Sequence, residues 1–507
     1  MHFKATIRAA ISSYMGSVSA AITGLLSIKL ATHFLSQQEF GLWSFTMQTV
    51  GYFMLMDLGV SNSVARLFGE PLGSGDPQKI NSWFTLSTMT LSSQALLILG
   101  LGLALRPLVL HWFNIPAHLI GQASDLWLAF LVIQAIGMIF KLSFAILHAQ
   151  NRSYWTSNLQ VIGSWAGLAA FFLMLSNRWG VLAYAWSSGV AMLVISVGGV
   201  LAVRRGGLRF KLSMAGVTRS EIRKLFGFSS SIFVLGLASQ VYFASQGLVA
   251  TKLLGLEAAA ILAVTSRASG IAMQSIWKPF DAFSPRWQVS YCAGDIDRVT
   301  REFSLMSRFT ILIASAVSSA VAIINQPFVL WWTKPGYFGG LSLSLLLCIF
   351  MLIQGVNRCF VAPFTLTVRM RAYTMVSIAS VGAAVLLMIG LTRWLGLVGI
   401  PIGLIVGDLI FPMWFYIKNG GEGIGINGFQ VIGKDILFWL PITALAGLVS
   451  ILMEKVAFHS SLVWLLSALA CSVACAAPLL WRAFSLLREL KREGVPESEL
   501  VAEAGLA

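Results

Sequence analysis

What most constrains this chain is the return, along nearly all of its 507 residues, of apolar runs of the roughly 20 residues needed to cross a bilayer. In hydrocarbon every backbone amide must find its partner within the protein, so runs of this kind resolve into helices. The composition agrees: 57% of residues are hydrophobic and 11% are charged, against the roughly 25% charge of a soluble domain. A soluble enzyme is excluded on this ground. The hydropathy pattern predicts an all-α membrane protein with about 14 spans. The first six lie near 10–35, 40–65, 83–110, 120–148, 154–176 and 180–203. The rest lie near 222–252, 257–290, 300–330, 339–366, 372–392, 396–418, 434–456 and 460–484. The stretch Ser12 to Leu35 is long enough to span and lacks a small-residue cleavage site, so it reads as a retained first helix. The five cysteines show no metal or disulfide spacing, and Cys471 and Cys475 read as small packing residues.

The net charge of +15 invites a nucleic-acid reading, but its distribution does not support one. Arg204, Arg205, Arg209, Lys211, Arg219, Arg223 and Lys224 fall between the sixth and seventh spans, where basic residues mark the cytoplasmic side. With the N-terminus in the cytoplasm, Arg66, Lys79, Arg152, Arg286, Arg298, Arg301, Arg369, Arg371, Lys418, Lys434 and Arg488 share that side. The expectation is a multi-pass protein of a bacterial inner membrane with both termini cytoplasmic and no nucleic-acid partner.

An internal repeat organises the chain. Leu30 to Leu35 corresponds to Val249 to Leu254, and in the same register Gly75, Asp76 corresponds to Gly294, Asp295. Shifted by one residue, Pro107 to Trp112 matches Pro327 to Trp332, and further on, across a small gap, Arg178, Trp179 aligns with Arg393, Trp394. A register that persists through polar loops implies two homologous halves. Six spans per half, an even number, makes the repeat parallel. The expected division is 1–204 for the first six-helix lobe, 205–221 for a basic cytoplasmic linker, 222–418 for the second lobe, 419–485 for two additional helices and 486–507 for a cytoplasmic tail.

Charges inside spans are costly, at least about 2.5 kcal/mol each on insertion scales, so they mark cavities or partners. They are Lys29, Asp57, Lys141, Arg267, Lys278, Asp281, Arg308, Arg358 and Asp408. Lys141, Asp57 and Arg308 lie toward the cytoplasmic ends of their spans and either snorkel or cap there, or serve a cavity. Lys278 and Asp281 are three apart on one helix and either pair together or face a passage. Asp408 either binds a coupling cation or proton, or pairs with a neighbouring helix. The excess of cations favours an anionic substrate, since arginine clasps phosphate through two parallel bonds. Pro279 and Pro285 mark the eighth span for a kink. Gly399, Gly403 and Gly407 predict close helix packing. No Gly-rich phosphate loop followed by Lys and Ser or Thr is present, so the sequence indicates neither an ATP-driven pump nor any cofactor or metal.

The sequence resembles the polysaccharide-transporter branch of the multidrug/oligosaccharidyl-lipid/polysaccharide exporter superfamily. The resemblance is carried by Phe34, Leu35, then Glu39, Phe40, Gly41, Leu42, Trp43, then Asp57, Leu58, Gly59 and Ala65, Arg66, with the loop at Gly75, Asp76. In the second half the acidic-aromatic-Gly pattern has decayed to Glu257, Ala258, Ala259. The resemblance implies a V-shaped pair of six-helix lobes, without enzymatic activity, that exposes a cavity to each side in turn. It also implies transport of an undecaprenyl-pyrophosphate-linked oligosaccharide, an O-antigen or exopolysaccharide repeat unit. Lys29, Arg267, Lys278 and Arg358 are the candidate substrate contacts, and Asp57, Asp408 and Asp281 the candidates for ion coupling or gating, with a proton or Na+ gradient as the energy source. Membrane lipids, a glycan polymerase and a chain-length regulator are the expected partners. The rival readings are a cation-coupled drug or metabolite antiporter of the same superfamily, and a membrane glycan polymerase.

Overall fold

The computed structural model describes residues 2–53, 57, 63–64, 67–113, 115–150, 152–206, 210–213, 218–367, 370–410, 412–422, 424–456 and 460–492. Leu58, Gly59, Ala65, Arg66, Arg209, Arg369, parts of the basic linker and 493–507 of the tail lie outside the described residues. The chain forms two compact units, Met1–Ala259 and Ala260–Ala507.

Six helices of the first half come first: α1 (His2–Phe34), α2 (Gln37–Phe53), α3 (Pro77–Trp112), α4 (Ile120–Ala149), α5 (Ser153–Ser176) and α6 (Leu182–Arg205). They are followed by α7 (Arg219–Leu254). The eighth, α8, is in two pieces, Leu256–Thr265 and Arg267–Cys292, bent by 45° at the break. Next come α9 (Ile296–Trp332), α10 (Leu341–Leu366), α11 (Met370–Leu395) and α12 (Gly399–Ile410). Two more, α13 (Ile436–Lys455) and α14 (Ser461–Arg492), complete the set, and no strand occurs among the described residues. Among the described residues ten stretches are long and apolar enough to cross a membrane, or eleven when the bent α8 is counted as one. One of them, Arg371–Gly420, carries both α11 and α12 in a single apolar run. The expected count of about 14 spans is thus approximate, since 10 or 11 stretches of the described residues meet the length and apolarity of a span. The described part of α2 is only 17 residues long and opens with Gln37, Gln38 and Glu39.

The repeat reappears as local geometry. Before α3, Gly75 has φ 66°, a left-handed conformation that glycine adopts without the clash a Cβ would bring, and Asp76 caps the helix by accepting from the amides of Gln78 and Lys79. Before α9, Gly294 has φ 81° and Asp295 accepts from the amide of Arg298. Both helices carry a proline near their C-terminal ends, Pro107 and Pro327.

The first unit gathers Phe53, Phe68, Trp83, Trp127 and Leu131 into a buried cluster, and Trp127 Nε1 donates to the Gly102 carbonyl at 2.9 Å. In the second unit α9 is the central strut, packed by α8, α10, α13 and α14. Phe280, Phe283, Trp287, Phe303 and Phe360 fill the space around it. Conversely, Leu437 is 90% exposed and Leu386 72% exposed. Apolar surface of this kind meets lipid at no cost, so close fit and polar links rather than water exclusion hold these helices together. Close fit is plainest between α11 and α12, where the three predicted glycines line the contact. A Cβ added at Gly403 would sit 2.5 Å from the Met388 amide nitrogen, and one at Gly407 would sit 2.8 Å from the Ala384 Cβ.

Candidate functional site

The seven candidate residues fall in both units. In the first, Lys29 is an exposed residue of α1. Asp57 is half-buried and lies 3.6 Å from Lys141 of α4, while its carbonyl accepts from Gln94 of α3. Lys141 and Asp57, for which snorkelling or capping was one option, therefore form an ion pair.

In the second unit the structure brings two of the candidates together. Arg358 of α10 donates through Nε to Asp281 Oδ1 of α8 at 2.8 Å, and its terminal nitrogen lies 2.7 Å from the same oxygen. The guanidinium also stands 5.5 Å from the centroid of the Trp277 ring, one turn before Asp281. A helical turn holds Trp277, Lys278 and Asp281 on neighbouring positions, so the indole and the carboxylate approach the same cation. The two side chains remain 40% and 44% exposed. That exposure, between the apolar α10 and a second piece of α8 that also carries Gln274, Ser275 and Lys278, is what a polar passage requires and what a lipid-facing surface penalises.

One turn earlier on α10, Gln354 Nε2 donates to Asp408 Oδ2 of α12 at 2.8 Å, and Asp408 is buried. The helix α10 thus presents Gln354 and Arg358, four residues apart, to acidic partners on α12 and α8. Gln354 and Trp277 escaped the sequence reading. The i,i+4 spacing of Gln354 and Arg358 inside an apolar helix was the available signal. Arg267 begins the second piece of α8, half-buried, and Lys278, three residues before Asp281 on the same helix, is half-buried too. At the break itself Asn325 Nδ2 of α9 donates to the Thr265 carbonyl at 3.0 Å and to Ser344 Oγ at 2.8 Å. A side-chain amide thereby serves backbone that the bend disturbs.

Arg308 has a structural partner instead. Its Nε donates to Asp435 Oδ2 at 2.6 Å, and Arg482 of α14 donates to Oδ1 of the same carboxylate at 3.2 Å. Burial disfavours ionisation of Asp435, but the hydrogen bonds and charges of Arg308 and Arg482 outweigh it and hold the carboxyl below the ordinary range. A second carboxylate, Glu302, takes both Arg286 and Arg298. No group of three or more His, Cys, Asp or Glu residues suited to a metal ion occurs among the described residues.

A family model described as polysaccharide biosynthesis protein matches residues 7–286, more than half of the chain. The chain belongs to the polysaccharide biosynthesis protein family. No curated protein matches it in sequence. Among solved structures, the lipid II flippase MurJ in an inward closed conformation is similar over 94% of this chain and 100% of its own, at 12% identity and a TM-score of 0.65. An inward-facing multidrug resistance MATE family transporter of the MOP superfamily is similar over 85% of this chain and 99% of its own, at 13% identity and a TM-score of 0.64. A mutant of the Vibrio cholerae MATE transporter VcmN covers 84% of this chain and 98% of its own, at 16% identity and a TM-score of 0.58. This family member therefore has the fold of the MOP superfamily and is a multi-pass membrane protein, as the resemblance in its sequence implied.

Proposed function

We propose that the chain is an alternating-access flippase that moves an undecaprenyl-pyrophosphate-linked oligosaccharide, an O-antigen or exopolysaccharide repeat unit, across the bacterial inner membrane. Transport runs from the cytoplasmic to the periplasmic leaflet, both termini stay in the cytoplasm, and no covalent chemistry is involved. The observation that carries this reading is the half-exposed ion pair of Arg358 and Asp281 between α10 and α8 of the second unit. A pyrophosphate offers more oxygens than a carboxylate and competes with Asp281 for the guanidinium. When the substrate leaves, Asp281 takes Arg358 back, so the guanidinium is compensated in the empty protein. Lys278 and Arg267 extend the cationic character of α8, and Lys29 is a separate contact on α1. Asp408, buried against Gln354, and Asp57, paired with Lys141, are the coupling or gating groups for a proton or Na+ gradient. Membership of a polysaccharide biosynthesis family and the fold shared with a lipid II flippase support a glycan-lipid cargo. Membrane lipids, a glycan polymerase and a chain-length regulator are the partners that follow from it.

The test is glycan delivery to the periplasmic face in cells carrying Arg358→Ala. Loss of delivery, with the protein still inserted at normal abundance, is the expected result. Normal delivery sinks the assignment of Arg358, and normal delivery on complete removal of the protein, accompanied by lost resistance to a cationic drug, transfers the chain to the antiporter reading.

A further inference from the structure

The first unit contains a cavity of about 560 Å³ that plays no part in the proposed substrate path. Helices α3 and α6 each pack on α4, and the cavity lies where they bracket its C-terminal end. Its walls are Phe84, Phe140, Ile146 and Val200, with Ser143 among the few polar groups and Arg204 at the edge. A volume of this order accommodates a drug-sized ligand or a folded stretch of acyl chain.

The basic linker is fastened across this place. The Phe210 ring stacks on Phe84 with centroids 4.5 Å apart and planes 15° from parallel, and Phe210 is itself a wall of the cavity. The Lys211 amide donates to Asn81 Oδ1 at 2.9 Å and the Ser213 amide to Thr85 Oγ1 at 2.8 Å, so the strap runs along the first turns of α3. Arg204 and Arg205, the last residues of α6, and Lys211 on the strap are all exposed. None of the three has an acidic partner among the described residues. Three uncompensated cations thus surround an apolar chamber at the end of a membrane-spanning helix, where lipid headgroups lie.

We infer that this cavity is a binding site for an anionic phospholipid, which seats one acyl chain against Phe84, Phe140 and Val200 and sets its phosphate on Arg204 with Arg205 and Lys211 beside it. Basic residues at the mouths of clefts between spanning helices select anionic headgroups, because a net-neutral phosphatidylcholine brings a quaternary ammonium that the cations repel, whereas an anionic headgroup brings its phosphate charge without one. A phospholipid held against both α6 and the strap ties the linker to the first unit. The inference rests on the membrane reading of the chain and is independent of what the protein transports.

The purified full-length protein is titrated with phosphatidylglycerol and with phosphatidylcholine of matched chains, and retained lipid is counted by native mass spectrometry. Phosphatidylglycerol is expected to be held preferentially, and Arg204→Ala to weaken it by about fivefold, the worth of one basic residue at a lipid surface. Val200→Trp, which fills the chamber, is expected to displace the lipid while leaving the three cations in place. Equal retention of the two lipids, or phosphatidylglycerol retention unchanged in both variants, overturns the inference. A third arm uses undecaprenyl phosphate. If both variants lose that ligand while keeping phosphatidylglycerol, the cavity belongs to the transported substrate and the inference also fails.

Discussion

Arg308 and Asp435 stand 127 residues apart in the chain and meet at 2.6 Å, with Arg482 completing the carboxylate from the other side. This one anion joins α9, the start of α13 and α14, and so fastens the two additional helices to the central strut of the second unit. Side-chain exposures of 12% for Arg308 and 7% for Asp435 mean that water does little to compensate a broken pair. Asp435→Ala should therefore cost about 3–5 kcal/mol, the range for removing one partner of a buried ion pair. Thermal unfolding in detergent measures it, and Asp435→Asn, which keeps the hydrogen-bond acceptor, should lose clearly less.

The same carboxylate gives a pH dependence whose sign is fixed. Despite its burial, Asp435 is held below its ordinary value of 3.8 by Arg308 and Arg482. A carboxyl depressed on folding contributes stability above its unfolded pKa and loses it as pH falls through the folded one. The melting difference between the wild type and Asp435→Asn should stay constant from neutral pH down to about 4 and then shrink under further acidification. A difference that already closes between about pH 6 and 5 would contradict the depressed carboxyl.

Asp281 restrains Arg358, and releasing it should alter binding in a direction opposite to that of Arg358→Ala. Asp281→Asn removes the competing charge, and because the pair is some two-fifths exposed the gain in affinity for a lipid-linked pyrophosphate should be tenfold at most, about 1.4 kcal/mol. Calorimetric titration of the two purified proteins with the lipid-linked pyrophosphate measures it. Delivery of glycan should nevertheless slow, since the resetting partner is gone.

Gly403 lets α12 approach the backbone of α11 so closely that any Cβ meets the Met388 amide. Gly403→Val should separate the two helices at a cost of about 1–3 kcal/mol, as overpacking does in other tight contacts. Gly390→Ala on α11, where an added Cβ meets nothing, is the matched control. Comparable melting temperatures for the two variants would remove close packing as the role of Gly403.

Much of the fold was legible because its signals are local. Gly75 and Asp76, and again Gly294 and Asp295, were legible as repeated loop residues; that each pair forms a left-handed turn and an N-cap opening α3 and α9 came from the structure. Gly399, Gly403 and Gly407 announced the α11–α12 contact by their spacing. The candidate charges were legible as exceptions to apolarity, but their roles were not. Lys141 and Arg308 looked alike on paper, and each found a carboxylate 84 or more residues away, Asp57 for one and Asp435 for the other. Gln354, uncharged and unremarked, turned out to hold Asp408.

The sequence by itself determined that this chain is a bundle of membrane-spanning helices built from a repeated half, because hydrophobic length and a persistent register act through neighbouring residues along one dimension. Only the tertiary structure decided which charges neutralise one another. Helices with the same hydropathy can stand beside different neighbours and turn different faces to them, and an ion pair depends on that adjacency and rotation. So it was the packing of α10 against α8 that set Arg358 on Asp281, and the packing of α9 with α14 that made Arg308 a structural residue.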